Sequence, residues 1–402
     1  MNNVIRSGIL NKLAESIDIP DSAYERAYAR YKDLGNWFSR EESSCYDFSP
    51  HVYSQGSFRL GTVIRPLDKE GEYDLDMGCR LMRGITKATH TQQELKKLVG
   101  ADLEDYRLAR GIEQRKEEKS RCWRLRYADP LRFHLDTVPS IPEARERKQF
   151  IREAIIRSGT AADLAELVSD LTGAITDNRK KNYHVIDDDW LLSNSEGFAL
   201  WFESRIRLNN LLMEELKLKA RAVKVDEFPA YQWKSPLQRC VQLLKRHRDI
   251  MFVNSEDEKP ASIIITALSA RAYQGETEIG SALDTILSTM GKLINQNSPR
   301  VANPVSPAED FADRWSDPAY ESSFWFWLRK AQLDFEAIGK ERKPELIVRA
   351  ASDKLGALLN ESEISTIIGA NSASALLKAA AVPRTASFPD KPLVPKKPAG
   401  FA

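Results

Sequence analysis

The sequence predicts an α+β protein in two unequal parts, a mixed sheet-and-helix core followed by a largely helical lobe. Three observations carry this expectation. Between Val52 and Ser140, short apolar runs bounded by Gly and Pro alternate with one polar helical stretch, Gln92 to Ala109, which is the texture of a mixed α/β core. From about Glu143 onward the apolar spacing becomes almost wholly helical. The length, 402 residues, suits two domains or one large domain with an elaborated second lobe, at roughly 100–200 residues per domain.

Taken in order, residues 1–42 read as helices that brace the core, with Ile9, Leu10, Leu13, Ala14 and Ile17 on one face, then Tyr24, Ala27, Tyr28 and Tyr31 on a second. Residues 43–142 build the sheet. Residues 143–381 form the helical lobe. Within it, Ser235-Pro236 supplies an N-cap and a proline at the first helical position, and Leu237, Cys240, Val241 and Leu244 mark the buried face that follows. Pro260 opens another helix, whose apolar run Ile263 to Leu268 is long enough to be buried on most sides. Residues 382–402 differ from everything before them. Pro383, Pro389, Pro392, Pro395 and Pro398 are spaced too closely for helix or ladder, so this end reads as an extended tail.

Composition excludes several classes. Hydrophobic content of 42% with 29% charge of both signs rules out wholesale disorder and fibrous repeats. The balance of 59 Lys+Arg against 58 Asp+Glu argues against a protein coated with nucleic acid, and so against a long nucleic-acid activator. Cys45, Cys79, Cys122 and Cys240 are scattered, without the spacing of a zinc site or a disulfide framework. The opening residues lack the apolar run of a signal peptide, and no stretch approaches the length of a membrane span. The expected setting is a reducing cytoplasm, with no membrane partner.

The chemistry concentrates in two places. Ser54-Gln55-Gly56-Ser57-Phe58-Arg59-Leu60-Gly61-Thr62 is followed by Glu72-Tyr73-Asp74-Leu75-Asp76-Met77. On a strand, Asp74 and Asp76 share a face, roughly 6–7 Å apart, while Leu75 points inward. Two carboxylates so placed suit hard divalent cations such as magnesium, which bind one or two carboxylates plus substrate phosphates. The Gly56-Ser57 step is a small turn that lets backbone N–H groups and a hydroxyl approach phosphate. Further on, Leu131-Arg132-Phe133-His134-Leu135-Asp136 alternates, leaving Arg132, His134 and Asp136 on the face opposite the apolar residues. Each piece alone is common: D-x-D on solvated strands, Gly-Ser in turns, Asp at strand ends. A third carboxylate on a neighbouring strand is what two-metal phosphoryl transfer requires.

Together, G-S, D-x-D and a later strand ending in Asp resemble the DNA polymerase β-like nucleotidyltransferase superfamily. The runs QGSFRLGTVIRP, EYDLD and FHLDTVPS, the segment Trp190 to Phe202, the helix Leu237 to Asp249, and Asn303-Pro304-Val305 leading to Phe311-Ala-Asp-Arg-Trp315 narrow the likeness to the bacterial CD-NTases, relatives of cyclic GMP-AMP synthase and oligoadenylate synthase. The resemblance runs from about residue 50 to 320. It implies a bilobal polymerase β-like nucleotidyltransferase core packed against an oligoadenylate synthase-like helical lobe, with the active site in the cleft. It further implies a cyclic oligonucleotide synthase of CBASS anti-phage defence, using ATP with or without GTP. The helical-lobe motifs suggest a clade D-like type making a cyclic trinucleotide such as cyclic AMP-AMP-GMP or cyclic tri-AMP, which would reach a downstream effector. Asp74, Asp76 and Asp136 would hold two Mg2+ ions, with Mn2+ as a substitute. Gln55, Gly56 and Ser57 would contact the donor nucleotide, and Lys245 and Ser262 its triphosphate. Ser195 departs from the family pattern, where Pro is expected after Ser-Asn, and falls on none of the catalytic positions.

Several residues read more plainly. His134 is a partly buried strand histidine, since a metal-activated hydroxyl needs no separate base. Trp190 and Trp201 pack the spine between the lobes, Phe324-Trp325-Phe326-Trp327 is core helix, and Glu113 to Arg121 is a solvated hairpin without a ligand. In some CD-NTases the C-terminus is conjugated, ubiquitin-fashion, by an E1-E2-like ligase, so the resemblance implies Ala402 as the conjugated end, against a passive tail. Two further readings stay open: nucleotide addition to RNA ends or a protein side chain, and a catalytically silent nucleotide-binding scaffold.

Overall fold

The alternating runs form the strands of one mixed sheet. A computed structural model describes residues 3–68, 71–127, 133–206 and 234–369 of the chain. Two helices come first, α1 (Asn3–Ile17) and α2 (Asp21–Phe38), then β1 (Pro50–Ser54), the short α3 (Gly56–Leu60) and β2 (Tyr73–Leu81). α4 (Gln92–Ala109) leads to β3 (Glu117–Glu118), β4 (Trp123–Tyr127) and β5 (Phe133–Pro142). The strand order is β1-β2-β5-β4-β3, with β2 and β5 parallel at the centre and the other pairs antiparallel. Leu75, Met77, Cys79 and Leu81 of β2 and Phe133 and Leu135 of β5 fill a core shared with α2 and α4. Period-2 alternation forces their polar neighbours, Asp74, Asp76, His134 and Asp136, onto the opposite face. Leu131 and Arg132 lie outside the described residues.

The sheet does not stop at residue 142. After α5 (Arg145–Arg157) and α6 (Ala162–Asp170), two three-residue strands, β6 (Gly173–Ile175) and β7 (Leu191–Ser193), extend it, β6 pairing with Ser140, Ile141 and Pro142. Trp190, beside β7, belongs to the sheet core, whereas Trp201 on α7 (Ser195–Ile206) belongs to the helical one.

The helical part is built from α7, α8 (Pro236–Met251), α9 (Ser262–Ala272), α10 (Ile279–Thr289), the hairpin β8 (Ala302–Asn303) and β9 (Ser306–Asp310), α11 (Pro318–Lys340), α12 (Pro344–Leu355) and α13 (Glu361–Gly369). Ser235 caps α8 as expected, in a reciprocal pair with Gln238 and with Pro236 at the first turn. On α11, Phe324 and Trp327 are buried, but Trp325 and Phe326 are exposed, because a four-residue run turns through more than one helix face and only half of it can reach the core. The first two helices divide between the parts: α1 packs with α8 and α10, and α2 against β1 and α4. All four cysteines are free thiols. Among the described residues no helix is long and apolar enough to cross a membrane.

Candidate active site

Parallel pairing sets the geometry of the carboxylates. In the β2–β5 register Asp76 stands opposite Asp136 and Asp74 opposite His134, so residues sixty apart in sequence meet on one face. Asp76 feels both other carboxylates: burial, then Asp74, then Asp136, push its carboxyl up to about 7. Asp74 is the exposed member, and the hydrogen bond from His134 Nδ1 to its Oδ1 (2.8 Å) holds it below the ordinary carboxylate range. His134 also contacts Glu72, which accepts from Arg126 at 2.7 Å. The histidine thus bridges two acidic side chains, a task the sequence does not announce.

Asp136 has a partner that sequence reasoning missed. Arg124, its register neighbour on β4, donates from Nε to Oδ1 and from NH2 to Oδ2, each at 2.7 Å. This bidentate pairing raises the guanidinium pKa further and occupies both oxygens of the carboxylate.

The turn that follows β1 is fitted to Asp76. Gln55 N donates to Asp76 O at 2.9 Å. Gly56 has φ +67°, and a Cβ there would stand 2.0 Å from Asp76 Oδ2, so the glycine is required on both conformational and steric grounds. Ser57 lies half-buried in the next position. The Gln55 side chain is held by Ser195, whose hydroxyl donates to Oε1 at 2.7 Å. Ser195 therefore touches a candidate nucleotide-binding residue directly, which its departure from the family pattern had concealed.

Three side chains of α8 at helical spacing lock it to the chain beyond that turn: Gln238 Nε2 donates to Leu60 O at 2.9 Å, Gln242 Nε2 to Val63 O at 2.7 Å, and Lys245 Nζ to Thr62 O at 3.0 Å. Lys245 is buried. Burial and the nearby Arg248 lower its ammonium to about 8, while Asp249, Asp74 and Asp76 pull the other way. Ser262 is exposed at the first position of α9, with Ala261 as the cap. Ala402 lies outside the described residues.

The donor set fits divalent cations in chemistry. Asp74, Asp76 and Asp136 offer only oxygen, and Asp76 is raised first by burial and then by its neighbours' charge, a repulsion that bound cations would relieve. They are not drawn into a finished cage. Among the described residues no group of three acidic, His or Cys side chains is gathered tightly enough to hold a metal ion; Asp74 is held by His134 and Asp136 by Arg124.

Comparison with known proteins places the chain in a family. Residues 50–139 match the family model described as cyclic GMP-AMP synthase DncV-like, nucleotidyltransferase domain. A c-di-GMP synthase from Roseivirga ehrenbergii is 30% identical over 312 residues, covering 77% of this chain and 72% of the relative. The cyclic dinucleotide synthase CdnG from Bradyrhizobium diazoefficiens is 25% identical over 326 residues, 77% of this chain and 70% of that one. The solved structure of that CdnG in complex with GTP superposes with a TM-score of 0.60 at 22% identity, over 91% of this chain and 98% of CdnG.

Proposed function

Because this chain belongs to the bacterial CD-NTases, a family of nucleotidyltransferases, we propose that it is a cyclic oligonucleotide synthase that converts purine nucleoside triphosphates into a second messenger. The observation that carries the reading is the register that sets Asp76 beside Asp136 on parallel strands, with Asp74 on the same face and the Gly56 turn against them.

Asp74, Asp76 and Asp136 would hold two magnesium ions, which when bound supply the positive charge that activates an acceptor ribose hydroxyl and neutralises a donor triphosphate. The chain's own groups do the rest. Gln55 and Ser57 bind donor phosphate or ribose, and Ser195 orients the Gln55 amide so that its nitrogen is presented as a donor. Lys245, still largely protonated at neutral pH, sets a charge behind the triphosphate. Ser262 offers its hydroxyl and the free N–H groups of the α9 terminus.

On product size, the names of both curated relatives specify cyclic dinucleotides, which supports a dinucleotide over the trinucleotide expected from the helical-lobe motifs. We place the enzyme in cytoplasmic anti-phage signalling on the strength of the family alone, with conjugation through Ala402 as an accompanying proposal. The three intact carboxylates speak against a silent scaffold.

The test is incubation of the purified chain with labelled ATP, GTP, CTP and UTP and magnesium, followed by phosphatase and mass spectrometry. A phosphatase-resistant product, absent with Asp74→Ala plus Asp76→Ala, is the expected result, and its mass gives the ring size. Linear products extended on added RNA, or no difference between wild type and the double variant, would overturn the reading.

A further inference from the structure

A cavity of about 200 Å³ lies between the sheet and the helical part, bordered by Gly56 and Ser195 on one side and by Arg121, Asn303, Glu309 and Phe311 on the other. It is smaller than the ~300–1,000 Å³ of sites that enclose a whole drug-sized ligand, and it is scaled to one ring system. Because Gly56 also abuts Asp76, a nucleotide whose phosphates lie at the carboxylates can place its base here.

The polar groups of this cavity are fixed in role. Asn303 Oδ1 accepts from Val305 N at 3.0 Å, which leaves Nδ2 to donate to Glu309 Oε2 at 2.7 Å. Glu309 Oε1 has no hydrogen-bond partner among the described residues. Arg121 Nε is committed to Asp177 Oδ2 at 3.1 Å, and its guanidinium lies near enough to Glu309 to offset part of the burial that raises that carboxyl. An anchored acceptor and a cationic donor therefore face the same small space.

We propose that Glu309 and Arg121 select guanine for one of the nucleotides, an assignment that rests on the nucleotidyltransferase reading and adds to it the identity of a base. Guanine presents N1–H and N2–H as donors on one edge and O6 and N7 as acceptors on another. A carboxylate matches the first edge and a guanidinium the second. Adenine turns its N1 acceptor toward the carboxylate and offers one donor in place of two, leaving charged groups of the site unmatched.

Isothermal titration of the full chain, with magnesium and the non-reacting α,β-methylene analogues of GTP and ATP, tests this without turnover. Wild type is expected to bind the guanine analogue at least about tenfold more tightly, a modest share of what a good bidentate base contact supplies. Glu309→Gln and Arg121→Gln should each bring the two analogues within about threefold. Equal binding by wild type, preference for adenine, or a guanine preference that survives both substitutions overturns the base assignment alone. Binding of neither analogue overturns the nucleotide reading with it.

Discussion

Arg124 grips Asp136 through two parallel hydrogen bonds of 2.7 Å, so the carboxylate that completes the candidate metal site is already paired with a cation of the protein's own. A divalent ion must compete with that guanidinium or share the carboxylate with it. Arg124→Gln removes the competing charge and should lower the half-saturating magnesium concentration roughly three- to tenfold. Magnesium titration of product formation measures this. An unchanged or higher requirement would show that the arginine does not oppose the metal.

Gly56→Ala tests the turn. The added methyl would meet Asp76 Oδ2, and φ +67° disfavours any β-carbon. The expected result is a stability loss of about 1–3 kcal/mol together with a fall in turnover of at least about a hundredfold. Thermal melting and single-turnover assays separate the two effects, and wild-type turnover in the alanine variant would refute the fit.

Lys245→Met separates packing from function. The side chain is buried and its ammonium is lowered to about 8, chiefly by burial and then by Arg248, so an apolar replacement of similar shape relieves that burial of charge but takes the donor from Thr62 O, and the net stability loss should stay within about 1–3 kcal/mol. Triphosphate affinity should nonetheless fall about tenfold or more. In wild type the affinity contributed by this charge is present below pH 8 and fades as pH rises through 8. Titration at pH 7 and pH 9, beside the methionine variant, checks both statements.

Glu196 supplies a pH-dependent contribution to stability. Burial alone would raise its carboxyl, but Arg80 (2.8 Å) and His51 (2.7 Å) outweigh it and hold the group below the ordinary range. A lowered folded pKa gives stabilisation that is complete above the unfolded value of about 4.3 and is lost as pH falls through the folded value. Glu196→Gln should therefore cost about 3–5 kcal/mol near pH 7, with the gap narrowing below pH 4.3. Urea unfolding of both proteins across that range is the measurement, and a gap independent of pH would exclude the ion pair as its source.

Ser195→Pro restores the residue expected in the family segment. Proline is well suited to the first position of α7, so the fold should persist while Gln55 loses its 2.7 Å tether. Nucleotide KM is expected to rise about threefold to tenfold with little change in kcat. An unaltered KM would leave the tether without a role in binding.

Much of the architecture was readable from local pattern. The two opening helices, the α8 cap and the faces of β2 and β5 follow from periodicity and capping chemistry, because these are set within a few residues. The register that joins Asp76 to Asp136, and Arg124 to Asp136, is set by pairing between distant strands and leaves no local trace. Strands β6 and β7 are too short for alternation to show. The burial of Lys245 leaves no local trace because its acceptor, Thr62 O, is 183 positions away. Arg121 looked idle in its charged hairpin because Asp177 and Glu309 come much later in the chain.

The separation of α1 from α2 also bears on the order in which the molecule can be assembled. α1 precedes by more than two hundred residues the segments it packs against: Arg6 NH2 donates to Asp284 Oδ1 at 2.7 Å across 278 positions. The sheet and α2 can condense early, while α1 must wait, its Leu10 and Leu13 uncovered, until α8 and α10 have been synthesised. Lys245 and Ser262 arrive in the same late interval. A nascent chain can thus hold a folded sheet carrying its three carboxylates and still lack the second wall of the cleft, which closes only once α8 and α9 have been made.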